Sequence, residues 1–145
     1  GGIDRKLVKE MGSLGLIGVD LPEQYGGLGA SGVTSGLVIE AIAHGDFNIS
    51  YVQLIGSLMG QILAHHASPE IAQAWVPGIV AGEKIVGLGL TEPRGGSDAA
   101  NLVLTAKRSG KGYVLNGEKT SISFAEHADA AVVWARSGTA SAAAA

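Results

Sequence analysis

The sequence predicts an α+β protein in which helices precede strands. Apolar residues of the first half recur at helical spacing, whereas short apolar runs separated by glycine turns begin at Ile85. The two kinds of segment do not alternate, which is typical of α+β folds with two layers or two domains. The pattern changes near Ala81-Gly82-Glu83-Lys84, so we predict a helical domain over residues 1–83 and the start of a β-domain over residues 84–145.

Helices account for most of the first half. Asp4 can cap the first helix, which ends near Gly15, and Ser68-Pro69-Glu70 is a strong helix start. Gly56 and Gly60 are expected to mark a close helix–helix approach. The predicted core faces are Leu7, Val8, Met11 and Leu14, then Leu37, Val38, Ala41 and Ile42, then Tyr51, Leu54, Ile55, Leu58, Met59, Ile62 and Leu63.

Strands are predicted throughout the second half, with two glycine turns between them. Ser109-Gly110-Lys111-Gly112 is one turn, and Asn116-Gly117 is the other, since Asn-Gly is the strongest short hairpin signal. The predicted strands are Ile85–Leu90, Val103–Lys107, Tyr113–Leu115, Lys119–Phe124 and Ala130–Ala135.

Composition excludes several classes of function. The chain has 145 residues, 46% of them hydrophobic, and a net charge of −3 without a basic stripe, so nucleic-acid binding is not expected. The absence of cysteine excludes disulfides and thiol nucleophiles, and the four histidines lack a metal-ligand spacing. The longest apolar region, residues 47–63, is interrupted by polar residues and predicts a buried helix instead of a membrane span.

The two ends of the chain give two further expectations. Residues 1–6 lack an apolar signal region and look like an internal start, so no secretory signal is expected. The alanine-rich residues 141–145 fit either a tail or a chain that continues. The default expectation is a cytoplasmic protein.

Two glycine-rich stretches are candidates for phosphate-binding loops. Residues 27–32 fit G-x-G-x-x-G, but they follow a proline-containing loop and precede a helix, so we interpret them as a plain glycine loop. In residues 90–98, LTEPRGGSD, Gly95-Gly96 can leave backbone N–H groups facing a ligand, and Ser97 adds a hydroxyl. This second stretch fits either a phosphate cradle or a turn in which Ser97 and Asp98 bond their own backbone.

Residues 90–98 and three other segments resemble the acyl-CoA dehydrogenase family. LTEPRGGSD is similar to the motif that opens the middle domain of that family. The other similar segments are Leu21–Gly29 (LPEQYGGLG), Tyr113–Lys119 (YVLNGEK) and Asp129–Arg136. Their order and spacing agree with the family from about residue 4 to residue 137.

The resemblance implies an N-terminal helical domain, an antiparallel β-barrel-like middle domain that is incomplete here, and a C-terminal helical bundle outside this chain. It implies FAD-dependent oxidation of an acyl-CoA thioester to the 2-enoyl-CoA, electron-transfer flavoprotein as the acceptor, and a homotetramer. The catalytic base of the family usually lies in the C-terminal domain, so Glu92 is expected to have a structural role. A bacterial cytoplasmic location is expected, or the mitochondrial matrix in a eukaryote.

The resemblance also implies ligand contacts. Backbone groups of Leu88 and Leu90 would meet the flavin, and the Thr91 hydroxyl would face the N1/O2 edge of its ring, where a donor stabilises negative charge. Gly96 and Ser97 would contact the FAD pyrophosphate. Ser97 would also bind the CoA arm of the substrate.

A second flavin contact is implied at Ser121 and Ser123. Ser123 stands where the family usually has threonine and keeps a hydroxyl for flavin N5. Ser121 replaces the tryptophan that many members have, and Phe124 and Ala125-Glu126 depart from the usual Asn-Gly-Gly. We hypothesise a reshaped pocket that accepts a cyclic, branched or polar acyl group.

Two alternatives to the dehydrogenase remain open. One is an acyl-CoA oxidase or flavin monooxygenase relative that uses O2, and the open site at Ser121 makes it worth testing. The other is a flavin-free, non-catalytic fragment, which the missing C-terminal part would fit.

Overall fold

The computed structural model describes residues 3–138, which form two compact units. The first unit comprises residues 3–87 and 124–130, and the second comprises residues 88–123 and 131–138. The helices are α1 (Arg5–Ser13), α2 (Gly32–Gly45), α3 (Phe47–His66) and α4 (Pro69–Val80). The strands are β1 (Val86–Gly89), β2 (Thr105–Ser109), β3 (Gly112–Asn116) and β4 (Ala130–Val133), with 3-10 turns at Glu23–Tyr25 and Ala99–Asn101. The predicted order of helices followed by strands is confirmed.

A polar side chain caps the start of each helix. Asp4 accepts from the backbone N–H of Lys6 at 2.8 Å, and Ser68 accepts from that of Ile71 at 3.4 Å, so both predicted caps are confirmed. Ser31 and Asp46 cap α2 and α3 in the same way. A cap of this kind typically stabilises a helix by about 1 kcal/mol.

The core of the first unit is built around the glycines of α3. A Cβ atom added to Gly56 would lie 2.6 Å from Ile17 Cγ2, and one added to Gly60 would lie 2.5 Å from Leu21 Cδ1. The close approach is therefore confirmed, but the prediction that its main partner is a helix is wrong. Side chains of the loop between α1 and α2 fill the space, and both Ile17 and Leu21 are buried.

Several predicted core positions are exposed. Leu14, Leu37, Leu54 and Leu58 are 73%, 62%, 40% and 40% exposed, and Ser35 is the buried residue of α2. In α3 the buried apolar residues Val52, Ile55 and Met59 lie on the side that carries the glycines. Because α2 and α3 carry apolar residues on several faces, spacing alone does not identify the face that packs.

Asp129 joins distant parts of the first unit. Its Oδ2 accepts from the backbone N–H of Ile85 at 2.8 Å and from Arg5 Nη1 at 2.9 Å, while Oδ1 accepts from Arg5 Nη2 at 3.1 Å. The bonds from Arg5 and then Ile85 lower the pKa of Asp129 below its ordinary value. Both side chains of this ion pair remain well exposed, at 40% for Arg5 and 39% for Asp129.

The strands form two pairs. β2 and β3 are antiparallel with Thr105 opposite Asn116 and Ser109 opposite Gly112, and β1 pairs with β4. The turn predicted around Gly110-Lys111 is thus confirmed as the hairpin turn. These pairs are a partial sheet, and the antiparallel barrel implied by the resemblance stays a prediction.

Two predictions for the second half are wrong. Asn116-Gly117 ends β3 without forming a hairpin, and Lys119–Phe124 is not a strand. Ser121 and Phe124 have left-handed backbones, with φ of 55° and 60°, which an extended strand cannot contain. Residues 123–127 then form a turn in which the His127 N–H donates to the Phe124 carbonyl at 2.8 Å.

Three further sequence expectations concern membrane spans, metal sites and the alanine-rich end of the sequence. Across residues 3–138, no helix has the length and apolarity needed to cross a membrane. Over that same span, no group of three or more His, Cys, Asp or Glu residues could hold a metal ion. The alanine-rich residues 141–145 lie outside the described part of the chain.

Candidate active site

The segment from Leu90 to Ser97, termed here the donor loop, follows β1 in the second unit. Glu92 and Gly95 exchange two backbone hydrogen bonds of 3.0 Å, which close a tight turn. The Thr91 carbonyl accepts from the backbone N–H of Thr120 at 2.9 Å. The loop is therefore fixed both by its own turn and by a segment far away in the sequence.

Glu92 is a buried carboxylate with three donors. Its Oε2 accepts from the Val103 N–H at 2.7 Å, and its Oε1 accepts from the Leu104 N–H at 2.8 Å and from Lys119 Nζ at 2.8 Å. The side chains of Glu92 and Lys119 are only 4% and 6% exposed. Lys119 Nζ also donates to the Leu90 carbonyl at 2.9 Å.

These donors keep Glu92 ionised. The Lys119 ammonium, followed by the backbone N–H groups of Val103 and Leu104, lowers the pKa of Glu92 from 4.5 to about 2. A carboxylate this acidic, with its oxygens occupied, is not suited to remove a proton from a substrate. Glu92 thus makes the backbone contacts that its predicted structural role requires.

Gly96 packs directly against Thr91. A Cβ atom on Gly96 would lie 2.9 Å from Thr91 Oγ1, closer than real Cβ atoms approach, and 3.1 Å from Thr91 Cγ2, which is a tight contact. Both residues are half-buried, whereas Ser97 is exposed. The absence of a side chain at position 96 therefore allows the Thr91 hydroxyl to occupy its place.

The donor loop has polar groups without protein partners. Within residues 3–138, no hydrogen bond joins the hydroxyl of Thr91 or Ser97, or the backbone N–H of Gly96 or Ser97, to another protein group. Asp98, by contrast, opens a local turn: its carbonyl accepts from the Asn101 N–H at 3.1 Å, and its Oδ2 accepts from Asn101 Nδ2 at 2.7 Å. Among residues 3–138, neither the Ser97 nor the Asp98 side chain bonds the backbone as the turn interpretation requires, and Gly96 and Ser97 keep donors that suit an anionic ligand.

The other four predicted ligand contacts differ in their exposure and in their links to the donor loop. Leu88 is half-buried in β1, and Leu90 is half-buried where the strand has ended. Ser121 is exposed and follows Thr120, whose N–H binds Thr91, so the structure brings this serine near the donor loop. Ser123 is half-buried, and no hydrogen bond among residues 3–138 ties it to the loop.

The sequence interpretation did not pair Lys119 with Glu92. An acidic residue directly after an apolar strand needs a partner if it is buried, and Lys119 ends the YVLNGEK segment. A polar pocket of about 400 Å³ also lies beside the loop in the second unit, lined in part by Arg94, Asp98 and Asn101. None of these three residues was a predicted ligand contact.

Comparison with known proteins gives a consistent result. Residues 1–83 match the model of the acyl-CoA dehydrogenase N-terminal domain, and residues 87–145 match that of the acyl-CoA dehydrogenase middle domain. The chain is 41% identical over 135 residues to a probable acyl-CoA dehydrogenase of Bacillus subtilis (strain 168), covering 90% of this chain and 22% of that protein. It is 39% identical over 130 residues to the mitochondrial short-chain specific acyl-CoA dehydrogenase of Homo sapiens, covering 88% and 31%.

Among solved structures, a glutaryl-CoA dehydrogenase from Mycobacterium smegmatis in complex with FADH2 superposes with a TM-score of 0.88. Its sequence identity is 33%, and the match covers 94% of this chain and 35% of that one. The chain thus spans between about a fifth and about a third of the length of these relatives. The matches to both domain models show that the chain belongs to the acyl-CoA dehydrogenase family.

Proposed function

We propose that this chain supplies the N-terminal domain, residues 1–83, and the start of the middle domain, residues 84–145, of an FAD-dependent acyl-CoA dehydrogenase. The reaction is the oxidation of an acyl-CoA thioester to the 2-enoyl-CoA. The observation that carries the proposal is a set of N–H and hydroxyl donors on the donor loop that have no hydrogen-bond partner among residues 3–138. Family membership supports this chemistry, and the donors would bind the pyrophosphate of its cofactor.

FAD fits the donor loop for two reasons. Its pyrophosphate needs hydrogen-bond donors, and the N–H groups of Gly96 and Ser97, which have no partner within residues 3–138, would supply them together with the Ser97 hydroxyl. The missing Cβ at Gly96 leaves the Thr91 hydroxyl unobstructed. When bound, FAD supplies the two-electron oxidising capacity that side chains lack.

The residues of this chain would bind and orient. Backbone groups of Leu88 and Leu90 would line the flavin, and the Thr91 hydroxyl would donate where negative charge gathers. Ser97 would hold both the pyrophosphate and the CoA arm of the substrate. Because Glu92 is committed to Lys119 and two backbone N–H groups, the α-proton would be removed by a base outside the described residues.

Ser121 and Ser123 would form the second flavin contact and influence acyl specificity. Ser121 is small and exposed, so it supports a pocket that accepts cyclic, branched or polar acyl groups. Turnover of a substrate series by the unmodified protein and by Ser121→Trp tests this point. A plain straight-chain preference in the unmodified protein would contradict it.

The proposed acceptor is electron-transfer flavoprotein, and the proposed assembly is a homotetramer in the bacterial cytoplasm, or in the mitochondrial matrix of a eukaryote. The exposure of Ser121 also favours testing an oxidase or monooxygenase that uses O2. Reoxidation of the reduced protein by air, compared with reoxidation by electron-transfer flavoprotein, separates the two. Fast reaction with O2 would favour the oxidase.

The first experiment is native mass spectrometry of the purified protein, followed by denaturation to release bound FAD. A stoichiometry of one FAD per subunit, together with anaerobic reduction of that FAD by an acyl-CoA, would support the dehydrogenase. A protein without flavin would support the non-catalytic alternative.

A substitution at Gly96 tests the assignment of the donor loop to FAD binding. Gly96→Ala should weaken FAD binding by about tenfold, because the new Cβ displaces the Thr91 hydroxyl. Gly112→Ala is the control, since its Cβ would meet no atom within 4 Å. Equal FAD dissociation constants for both variants would contradict the assignment of this loop.

A further inference from the structure

We propose that Glu92 and Lys119 form a positioning pair that holds the donor loop in register with residues 121–123. The inference rests on the proposed function, because it concerns the placement of the ligand contacts. Neither residue touches the ligand in this proposal. Their role is to fix the backbone that presents Thr91 on one side and Ser121 on the other.

Three consecutive residues of the donor loop are bound by two consecutive residues of a distant segment. Lys119 Nζ donates to the Leu90 carbonyl at 2.9 Å and to Glu92 Oε1 at 2.8 Å. Between these two bonds, the Thr120 N–H donates to the Thr91 carbonyl at 2.9 Å. The backbone of Thr91 is therefore held on both sides and at its own carbonyl.

The same lysine lies two residues before Ser121. A shift of the donor loop along residues 119–120 would break all three bonds together. The relative placement of the two groups of predicted flavin contacts, Thr91 with Gly96 and Ser121 with Ser123, is therefore set through Lys119. Because both charged side chains are almost fully buried, water cannot replace the lost partners without opening the structure.

Glu92 extends the connection to a third segment. The N–H groups of Val103 and Leu104 bind its two oxygens, just before β2 begins at Thr105. An apolar pair of similar volume could preserve packing, as it does for many buried ion pairs. It could not bind the Leu90 carbonyl or the two N–H groups, so packing and positioning can be separated experimentally.

The test uses the protein loaded with FAD and the variants Lys119→Met and Glu92→Gln. We expect the FAD dissociation constant to rise by about tenfold or more and the absorption spectrum of the bound flavin to shift, because the contacts lose their register. Lys119→Arg, which keeps the charge, should restore most of the affinity. The control is Lys9→Met with Glu83→Gln, an exposed pair 3.7 Å apart with side chains 61% and 60% accessible, which should leave both readouts unchanged.

The outcomes separate the two proposals. If the unmodified protein binds no FAD, the proposed function and this inference both fail. If it binds FAD, and the two variants bind it with unchanged affinity and spectrum, the positioning role alone is overturned. If Lys119→Met does not fold, Glu92→Gln is the variant that tests the proposal, because it preserves side-chain volume. Lower thermal stability with unchanged FAD affinity and flavin spectrum would show that the pair has only a structural role.

Discussion

In each unit of the chain, a carboxylate accepts hydrogen bonds from a cationic side chain and from at least one backbone N–H group. The two ion pairs differ in how deeply they are buried. In the first unit, the Asp129–Arg5 pair is about two-fifths exposed. In the second unit, the Glu92–Lys119 pair is almost completely buried. Since water screens the first pair and is excluded from the second, the second unit should depend more strongly on its ion pair.

The burial of apolar side chains differs in the opposite direction, because it is greater in the first unit. The first unit buries Leu21, Met59 and Val76 completely. In the second unit, every residue of β3 is exposed, including Tyr113 at 61%, Val114 at 57% and Leu115 at 50%. The comparison indicates that hydrophobic packing dominates the first unit, whereas polar connections organise the donor loop of the second.

The largest effect is expected in the apolar core of the first unit. Leu21→Ala should lower the free energy of unfolding by about 2–5 kcal/mol, because it leaves a cavity beside Gly60. Gly60→Ala alone should cost about 1–3 kcal/mol through overpacking against Leu21. Urea unfolding of both single variants and the double variant measures the coupling.

The double variant should lose less stability than the sum of the single variants, because the added methyl group occupies part of the cavity. Strict additivity would show that Leu21 and Gly60 do not share this space. A loss below about 1 kcal/mol for Leu21→Ala would contradict the importance assigned to the core.

Acid should distinguish the two carboxylates. The pKa of Glu92 is lowered from 4.5 to about 2, so its stabilising contribution is complete above pH 4.5 and is lost as the pH falls towards 2. The pKa of Asp129 is lowered from 3.8, so its contribution is lost only below that value. In variants that keep a single tryptophan, unfolding followed at Trp134 reports on the second unit, and unfolding followed at Trp75 reports on the first.

Glu92→Gln should flatten the pH dependence of the Trp134 transition between pH 4.5 and about 2, and should leave that of Trp75 largely unchanged. Asp129→Asn is the matched variant and should flatten the Trp75 transition by a smaller amount, because its ion pair is exposed to solvent. An unchanged slope at Trp134 in Glu92→Gln would show that this carboxylate does not control acid unfolding of its unit.

In both units, the features that could be predicted from sequence are those that depend on neighbouring residues. Helix starts depend on a few neighbouring residues, so Asp4 and Ser68 were identifiable as caps. The LTEPRGGSD stretch is likewise local, and its free donors follow from its glycines and hydroxyls. Features that depend on distant partners were not accessible, including the seating of Leu21 against Gly60 and the pairing of Lys119 with Glu92.

Residues 119–124 show the limit most clearly. Alternating polar and apolar residues predict a strand, but Lys119 turns inward to Glu92, and Ser121 and Phe124 adopt left-handed backbones. No local pattern specifies those conformations, because neither residue type favours them and the surrounding structure must impose them. The ligand roles of Ser121 and Ser123 therefore stay predictions.

The smallest expected effect concerns this imposed conformation. Ser121→Gly should raise the free energy of unfolding by up to about 1 kcal/mol, because glycine tolerates a φ of 55° at little steric cost, although the more flexible unfolded chain offsets part of the gain. Ser123→Gly is the matched control: its φ is not positive, so only the entropic loss of about 0.5–1 kcal/mol remains. Thermal unfolding of the two variants measures the difference. Equal destabilisation would mean that the backbone at Ser121 is not strained, and that the segment beside the donor loop reaches its shape without help from the rest of the second unit.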